Sequence, residues 1–293
     1  MEYMRDGLDD SYGFLPLQNK ILEIALYIEE FCTQHDIDYC LMGGSALGAK
    51  RHGGFIPWDD DLDIFMTPDN FEKFRDKFAE YGDHEKFYLQ ERGKTKRGHV
   101  SVPKLCMNGT TYVEELTKDW DIHQGIFVDI FILHNCPNNR LKRRWQYFWA
   151  KCVALKGISM RGYNRQKGLK KIPLWIAKIL PKRLMVNYGL KQVYRYRNAK
   201  SDYYCNFLGK AGYKKGLYKK EWFGKTEHIP FEKVELRVPV GLHDFLTERF
   251  GDYMVPPSAE RIKWEQHAMC WDIDKHFTED KEKKTFVDEK YLV

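Results

Sequence analysis

The chain has 293 residues, 43% hydrophobic, 31% charged and 15% aromatic, which is the make-up of a globular protein rather than a disordered or fibrous one. Its net charge of +6 hides a division: Arg140 to Lys220 holds 23 Lys/Arg and one acid, Asp202, while the remainder carries 25 basic and 41 acidic residues. Scattered cysteines (Cys32, Cys40, Cys106, Cys136, Cys152, Cys205, Cys270) argue against a disulfide frame or a zinc module. An acidic start (Glu2, Asp6, Asp9, Asp10) with no apolar run behind it argues against a secretory leader, so a cytoplasmic protein is expected.

In chain order, Leu17, Ile21, Ile24, Ala25, Ile28 and Phe31 recur at helical spacing and predict a helix from Leu15 to Gln34. Tyr39 to Met42 reads as a short strand ending on Gly43-Gly44-Ser45. A helix opens over Ala46 to Lys50, and Arg51 to Trp58 reads as a loop punctuated by Gly53, Gly54 and Pro57. Leu62 to Met66 reads as a strand and Pro68 to Tyr81 as a helix started by Thr67 or Asp69. Tyr112 to Glu115 and Gly125 to Leu133 are further strands. From Leu141 the pattern turns helical, basic and aromatic. Val234 to Val240 then reads as a strand, and His243 to Phe250 as a helix ended by Gly251. The order predicts an α+β catalytic half followed by a mostly helical, basic half. Leu174 to Leu180, broken by Lys178, is too short to cross a bilayer.

Chemistry concentrates in Gly43-Gly44-Ser45 and in Asp59-Asp60-Asp61-Leu62-Asp63. On an extended strand, side chains two apart share a face, so Asp59, Asp61 and Asp63 are expected to point one way while Leu62 and Ile64 enter the core. Carboxylates gathered on one face repel unless a cation sits among them, and Mg²⁺ prefers oxygen ligands with room for phosphate. The turn at Gly44 and Ser45 meets a helix start, where free N–H groups hold phosphate. Apolar residues bracket the acidic run on both sides, unlike a solvated loop. Phe127-Val128-Asp129-Ile130-Phe131 adds one acid in an apolar strand, costly to bury without a partner.

The run Met42-Gly-Gly-Ser-Ala-Leu-Gly-Ala-Lys-Arg-His-Gly-Gly-Phe-Ile-Pro-Trp-Asp-Asp-Asp-Leu-Asp-Ile64 closely resembles the signature of the LicD family. His123-Gln-Gly-Ile-Phe-Val-Asp-Ile-Phe131 and Phe250-Gly-Asp-Tyr-Met-Val-Pro-Pro257 agree with it, and Ala46 and Lys50 depart from it. The resemblance spans about Leu15 to Trp271 and is weakest across the basic middle. It implies a nucleotidyltransferase-like mixed sheet with flanking helices, related to fukutin and fukutin-related protein. The implied activity is transfer of a phosphorylated alcohol from a cytidine diphosphate (CDP) donor to a glycan hydroxyl. Phosphocholine from CDP-choline, passed to teichoic acid, lipopolysaccharide or capsule, is the usual bacterial case, and ribitol phosphate the animal one. By position, Gly44 and Ser45 match the phosphate-holding turn, Asp61 and Asp63 the metal pair, and Asp129 the third carboxylate.

With Mg²⁺ or Mn²⁺ on Asp61 and Asp63, and Asp59 beside them, Asp129 is expected near the metal as base for the acceptor hydroxyl. Arg51 and His52, read in the loop, and Lys104 are candidate phosphate contacts. Trp58 is read as core that could also wall the donor pocket. The expected organisation is a catalytic core over 1–139, a basic, aromatic helical region over 140–220 and a C-terminal region over 221–293 that packs back on the core. Cations mixed with aromatics in 140–183 suit either a helix at an anionic membrane, reaching a lipid-linked glycan at the inner face of the cytoplasmic membrane, or a solvated basic face. Nucleic acid is disfavoured, since no RNA-binding signature or basic tail accompanies the cations. The alternative enzyme is a nucleotidyltransferase that uses a nucleoside triphosphate on a small molecule or RNA and releases pyrophosphate.

Overall fold

The computed structural model describes residues 10–91, 102–115, 117–118, 120–160, 172–209, 212–258, 262 and 266–278. The acidic start read against a leader (before Asp10), and 161–171 of the basic stretch, lie outside the described residues.

Helix α1 (Leu15–Gln34) carries Pro16 in its first turn and buries the stripe its periodicity predicts, from Leu17 through Phe31. Strand β1 (Cys40–Leu41) runs into α2 (Gly43–His52), followed by β2 (Asp63–Met66) and α3 (Pro68–Tyr81). The hydroxyl of Thr67 accepts the Asn70 N–H and caps α3. Next come β3 (Phe87–Gln90), β4 (Lys104–Met107), β5 (Thr111–Glu114), β6 (Phe127–Ile132) and β7 (His134–Cys136). The basic region supplies α4 (Arg140–Met160), α5 (Ile172–Ile179), a π-helical turn (Arg183–Tyr188) and α6 (Gly189–Tyr194). The chain continues with β8 (Tyr203–Cys205), α7 (Gly212–Lys215), β9 (Leu217–Lys219) and a 3₁₀ turn (Lys220–Phe223). It closes with β10 (Thr226–Phe231), β11 (Val234–Pro239), α8 (Leu242–Phe250) and β12 (Ala268–Asp272).

The architecture is α+β. A five-stranded mixed sheet in the order β1-β2-β6-β4-β3 forms the centre; β2 and β6 are parallel and the other neighbours antiparallel. The β10–β11 hairpin packs against β1 and α2, tied by Arg237 of β11, which grips Glu29 of α1 at 3.0 Å and the Ile37 carbonyl at 3.1 Å. Strand β12 pairs with β5 far from its own sequence neighbours, and β7-β8-β9 make a separate small sheet.

Helix α4 is inside out. Its buried side chains include Arg143, Gln146 and Lys156, whereas Leu141, Trp145 and Phe148 are exposed. Each buried polar group has work to do. Gln146 donates to the Asn135 and Val193 carbonyls, Arg143 to the Tyr213 hydroxyl, and Lys156 to the carbonyls of Ala177, Lys178 and Leu180 at the end of α5.

Two local expectations are corrected. Strand β2 begins at Asp63, so Asp59 and Asp61 lie in the lead-in and do not share a strand face with Asp63. Helix α2 extends to His52 and stops on Gly53 at φ 66°, a left-handed cap that glycine adopts without steric cost, which places Arg51 and His52 in the last helical turn and not in a loop.

His134, 2% exposed on β7, is pushed down to about 3 by burial. Its folded value lies below the unfolded one of about 6.5, so it contributes stability that is full above that value and is lost as pH falls toward 3. Wild-type unfolding free energy, measured in urea at pH 6 and pH 4, should fall by about 1.4 kcal/mol per unit more steeply than that of His134→Asn.

Candidate active site

The register of the central sheet builds one polar rung. Asp63 on β2 pairs with Asp129 on β6, Asp129 with Lys104 on β4, and Lys104 with Gln90 on β3. Paired positions share a face, so these side chains line one end of an otherwise apolar sheet. The Lys104 ammonium lies 3.2 Å from Asp129 Oδ1 and 3.4 Å from Glu114 Oε2, over the Phe127 ring. Burial lifts the Asp129 carboxyl to about 6; Lys104 opposes the rise, and the charges of Glu114 and Asp61 add to it. Burial alone would lower Lys104, but Asp129 and Glu114 outweigh it and raise the ammonium above its ordinary value.

The turn before α2 meets the acidic run. Met42 N–H donates to the Asp63 carbonyl at 2.9 Å, and Asp63 N–H donates to Ser45 Oγ at 2.8 Å, which locks the helix start onto β2. A Cβ on Gly44 would stand 2.9 Å from Asp59 Oδ2, so only glycine lets that carboxylate lie against the first turn of α2. Helix amides and dipole favour an anion at this place. From α1, Gln18 donates to the Ile56 and Asp59 carbonyls and fixes the loop from beneath.

Asp60, fully buried, turns the other way. Its Oδ2 accepts the N–H groups of His267 and Ala268, each at 2.7 Å, and Oδ1 lies 3.2 Å from His267 Nδ1. The same ring nitrogen is 3.3 Å from Asp61 Oδ2. Asp60, Asp61 and His267 thus bring ligand atoms within 4.8 Å of one another, a donor set that fits a divalent cation. Tyr112 of β5 is 3% exposed, its hydroxyl makes no hydrogen bond, and it stands in the field of Asp60, Asp61, Glu114 and Asp129. A buried hydroxyl without a hydrogen-bond partner is a donor that a bound ligand can satisfy. Sequence reading missed Asp60, His267 and Tyr112. The central acid of a run carries no period of its own, and the pairing of β5 with β12 is a long-range event.

The other expected residues sit as follows. Arg51, expected to contact phosphate, is buried and donates to the Tyr253 carbonyl at 2.9 Å, which ties the end of α2 to the segment after α8. His52 is buried edge-on to Trp58, and Trp58 meets Tyr12 in the core. Lys104 faces carboxylates within the rung rather than open solvent.

Residues 36–156 match the family described as LicD/FKTN/FKRP, nucleotidyltransferase domain. The chain is 28% identical over 254 residues to the lipopolysaccharide cholinephosphotransferase LicD of Haemophilus influenzae, covering 83% of this chain and 91% of that protein. It is 48% identical over 42 residues to the ribitol 5-phosphate transferase FKRP of Homo sapiens, covering 14% of this chain and 8% of that protein.

Asp60→Ala removes the acceptor of two backbone N–H groups and should cost about 2–4 kcal/mol of stability in urea. The loss should be local as well as global. Hydrogen exchange at the β12 amides should quicken more than at the β6 amides, and equal acceleration of both strands would contradict a latch at this point.

Proposed function

We propose that this chain, which carries a LicD-family nucleotidyltransferase domain, transfers a phosphorylated alcohol from a CDP-linked donor to a hydroxyl of a cell-surface glycan, aided by Mg²⁺ or Mn²⁺. The observation that carries the reading is the register that sets Asp63 beside Asp129 within the matched domain, next to the acidic lead-in. Phosphocholine is the first cargo to test, because the relative that aligns with most of the chain is named a cholinephosphotransferase. Ribitol phosphate is the second, from the shorter match. The division into 1–139, 140–220 and 221–293 belongs to the same proposal.

In this reading Asp61 and Asp63, with Asp59 and Asp129 close by, hold the cation, which when bound neutralises charge on the donor diphosphate and the departing nucleotide. Asp129 takes the proton of the acceptor hydroxyl. That oxygen bonds to the phosphorus bearing the alcohol as the bond to cytidine monophosphate breaks. Lys104 orients Asp129 and balances its charge. The amides of Gly44 and Ser45 at the start of α2 receive phosphate oxygens. Arg51 and His52 support that helix from within, and Trp58 backs the pocket wall.

The basic helical region suits the acceptor side. No helix among the described residues is long and apolar enough to cross a membrane. Trp145, Phe148, Trp175 and Ile179 are exposed on α4 and α5 amid Lys and Arg, a composition for lying at an anionic bilayer surface, so we place the enzyme at the inner face of the cytoplasmic membrane, where a lipid-linked glycan is within reach.

Incubated with CDP-choline, a glycan acceptor and Mg²⁺, the protein should release cytidine monophosphate, and Asp129→Asn should slow release about 10²–10⁴-fold. Release of pyrophosphate from ATP or CTP, or full turnover in the variant, would reject the reading. In a separate test the protein should sediment with phosphatidylglycerol vesicles and not with phosphatidylcholine ones. A Trp145→Ala/Trp175→Ala variant should lose most of that binding, and indifference to lipid charge would remove the membrane from the proposal.

A further inference from the structure

This inference rests on the proposed function and starts from Asp61 of its cation site, to which Asp60 and the C-terminal segment add groups that the proposed function does not use. We infer that His267 is a ligand of the cation, so that the site combines carboxylate oxygens with an imidazole nitrogen and prefers Mn²⁺ to Mg²⁺.

Distances carry the argument first. His267 Nδ1 is within hydrogen-bond reach of Asp60 Oδ1 at 3.2 Å and lies 3.3 Å from Asp61 Oδ2, so one ring nitrogen faces two carboxylate oxygens at once. Ligands about 2.1–2.2 Å from a shared ion, at right angles about it, stand about 3.0–3.1 Å apart. The observed spacings are close to that edge.

Rigidity comes second. Asp60 Oδ2 is occupied by the N–H groups of His267 and Ala268, so the backbone that bears the imidazole is fixed before any cation arrives. Behind it, β12 is zipped to β5 with Trp271 opposite Tyr112. A ligand delivered on a paired strand and pinned at its own amide is preorganised, which lowers the ordering cost of binding.

The third observation is a polar group that no acid satisfies. The buried Tyr112 hydroxyl has no hydrogen-bond partner and stands in the field of Asp60, Asp61, Glu114 and Asp129. It is a donor still available to a bound ligand. Mixed oxygen and nitrogen donors favour Mn²⁺ over Mg²⁺, which takes oxygen almost alone.

The test uses the full chain without nucleotide. Because Asp60 holds the backbone N–H groups of residues 267 and 268, His267→Ala keeps the latch and removes only the ring. Calorimetric titration with MnCl₂ and MgCl₂ should show tighter Mn²⁺ binding in the wild type. His267→Ala should lose about 10- to 100-fold in Mn²⁺ affinity with little change for Mg²⁺. Pulsed electron paramagnetic resonance of the Mn²⁺ complex should show a directly coordinated ¹⁴N that the variant lacks. Mn²⁺ bound to the wild type without that coupling, or with equal affinity in the variant, overturns the inference and leaves the carboxylate site standing. Failure of the wild type to bind either cation overturns both, and Asp61→Asn separates the cases by abolishing binding only if the acidic run is the site.

Discussion

Like charges on neighbouring strands set the terms for this fold. Parallel strands lie about 4.8 Å apart, and two carboxylates at that spacing repel by about 3 kcal/mol at an effective dielectric constant of 20. Asp63 and Asp129 occupy such paired positions, with Asp61 just ahead of the strand. Lys104 answers part of this charge on the opposite side of Asp129, but it is shared with Glu114 and lies on the far side of β6 from Asp63. The rung therefore has room for a cation from solution, and the Asp129 carboxyl is raised chiefly by its burial, with the charges of Glu114 and Asp61 adding to the rise and Lys104 opposing it.

Everything around the rung holds carboxylates in place against repulsion. Gln18 from α1 fixes the loop carbonyls, Ser45 from α2 fixes the Asp63 amide, and Gly44 leaves room for Asp59 over the helix start. Asp60 reaches across more than two hundred positions of sequence to hold the chain at His267 and Ala268. The four aspartates of the run thus do separate jobs. One lies on the helix dipole, one latches a distant strand, one opens toward the histidine, and one starts the strand that faces Asp129. Asp60, the one of the four that is fully buried, is satisfied by two backbone N–H groups, while Asp59, Asp61 and Asp63 stay partly exposed.

The amino-acid pattern made some of this legible and not the rest. Helices α1 and α3 have long apolar periods and clear starts, so their limits follow from spacing alone, and the glycine turn and acidic run marked the site. Strands β3 and β4 went unseen because each is four residues long and ends or starts on a polar residue, Gln90 or Lys104, that belongs to the rung and interrupts the apolar alternation. The assumption of one continuous strand through Asp59, Asp61 and Asp63 failed because hydrogen bonding to β6 begins only where the Leu62 carbonyl meets the Asp129 amide. Arg51 and His52 were misplaced because Gly53, read as part of a loop, acts instead as the cap that lets α2 run a full turn further. His267 carries no local signal, since its position is decided by pairing between β5 and β12.

Helix α4 shows the same chemistry with the opposite sense. In the central sheet, polar groups share one rung at one end of the strands. In α4, Gln146, Arg143 and Lys156 are buried because they satisfy carbonyls and a hydroxyl from β7, α6, α5 and the segment around Tyr213, joining short elements that have little apolar surface of their own. With those polar groups on its inward stripe beside Ala150 and Val153, α4 leaves several large apolar side chains on its outer face. Leu141, Trp145 and Phe148 follow helical spacing along that face. An exposed stripe of this kind, beside arginines and lysines, is unfavourable in water and favourable where headgroups meet acyl chains. The outer face of α4 is therefore the part of the second half least suited to a freely solvated helical bundle.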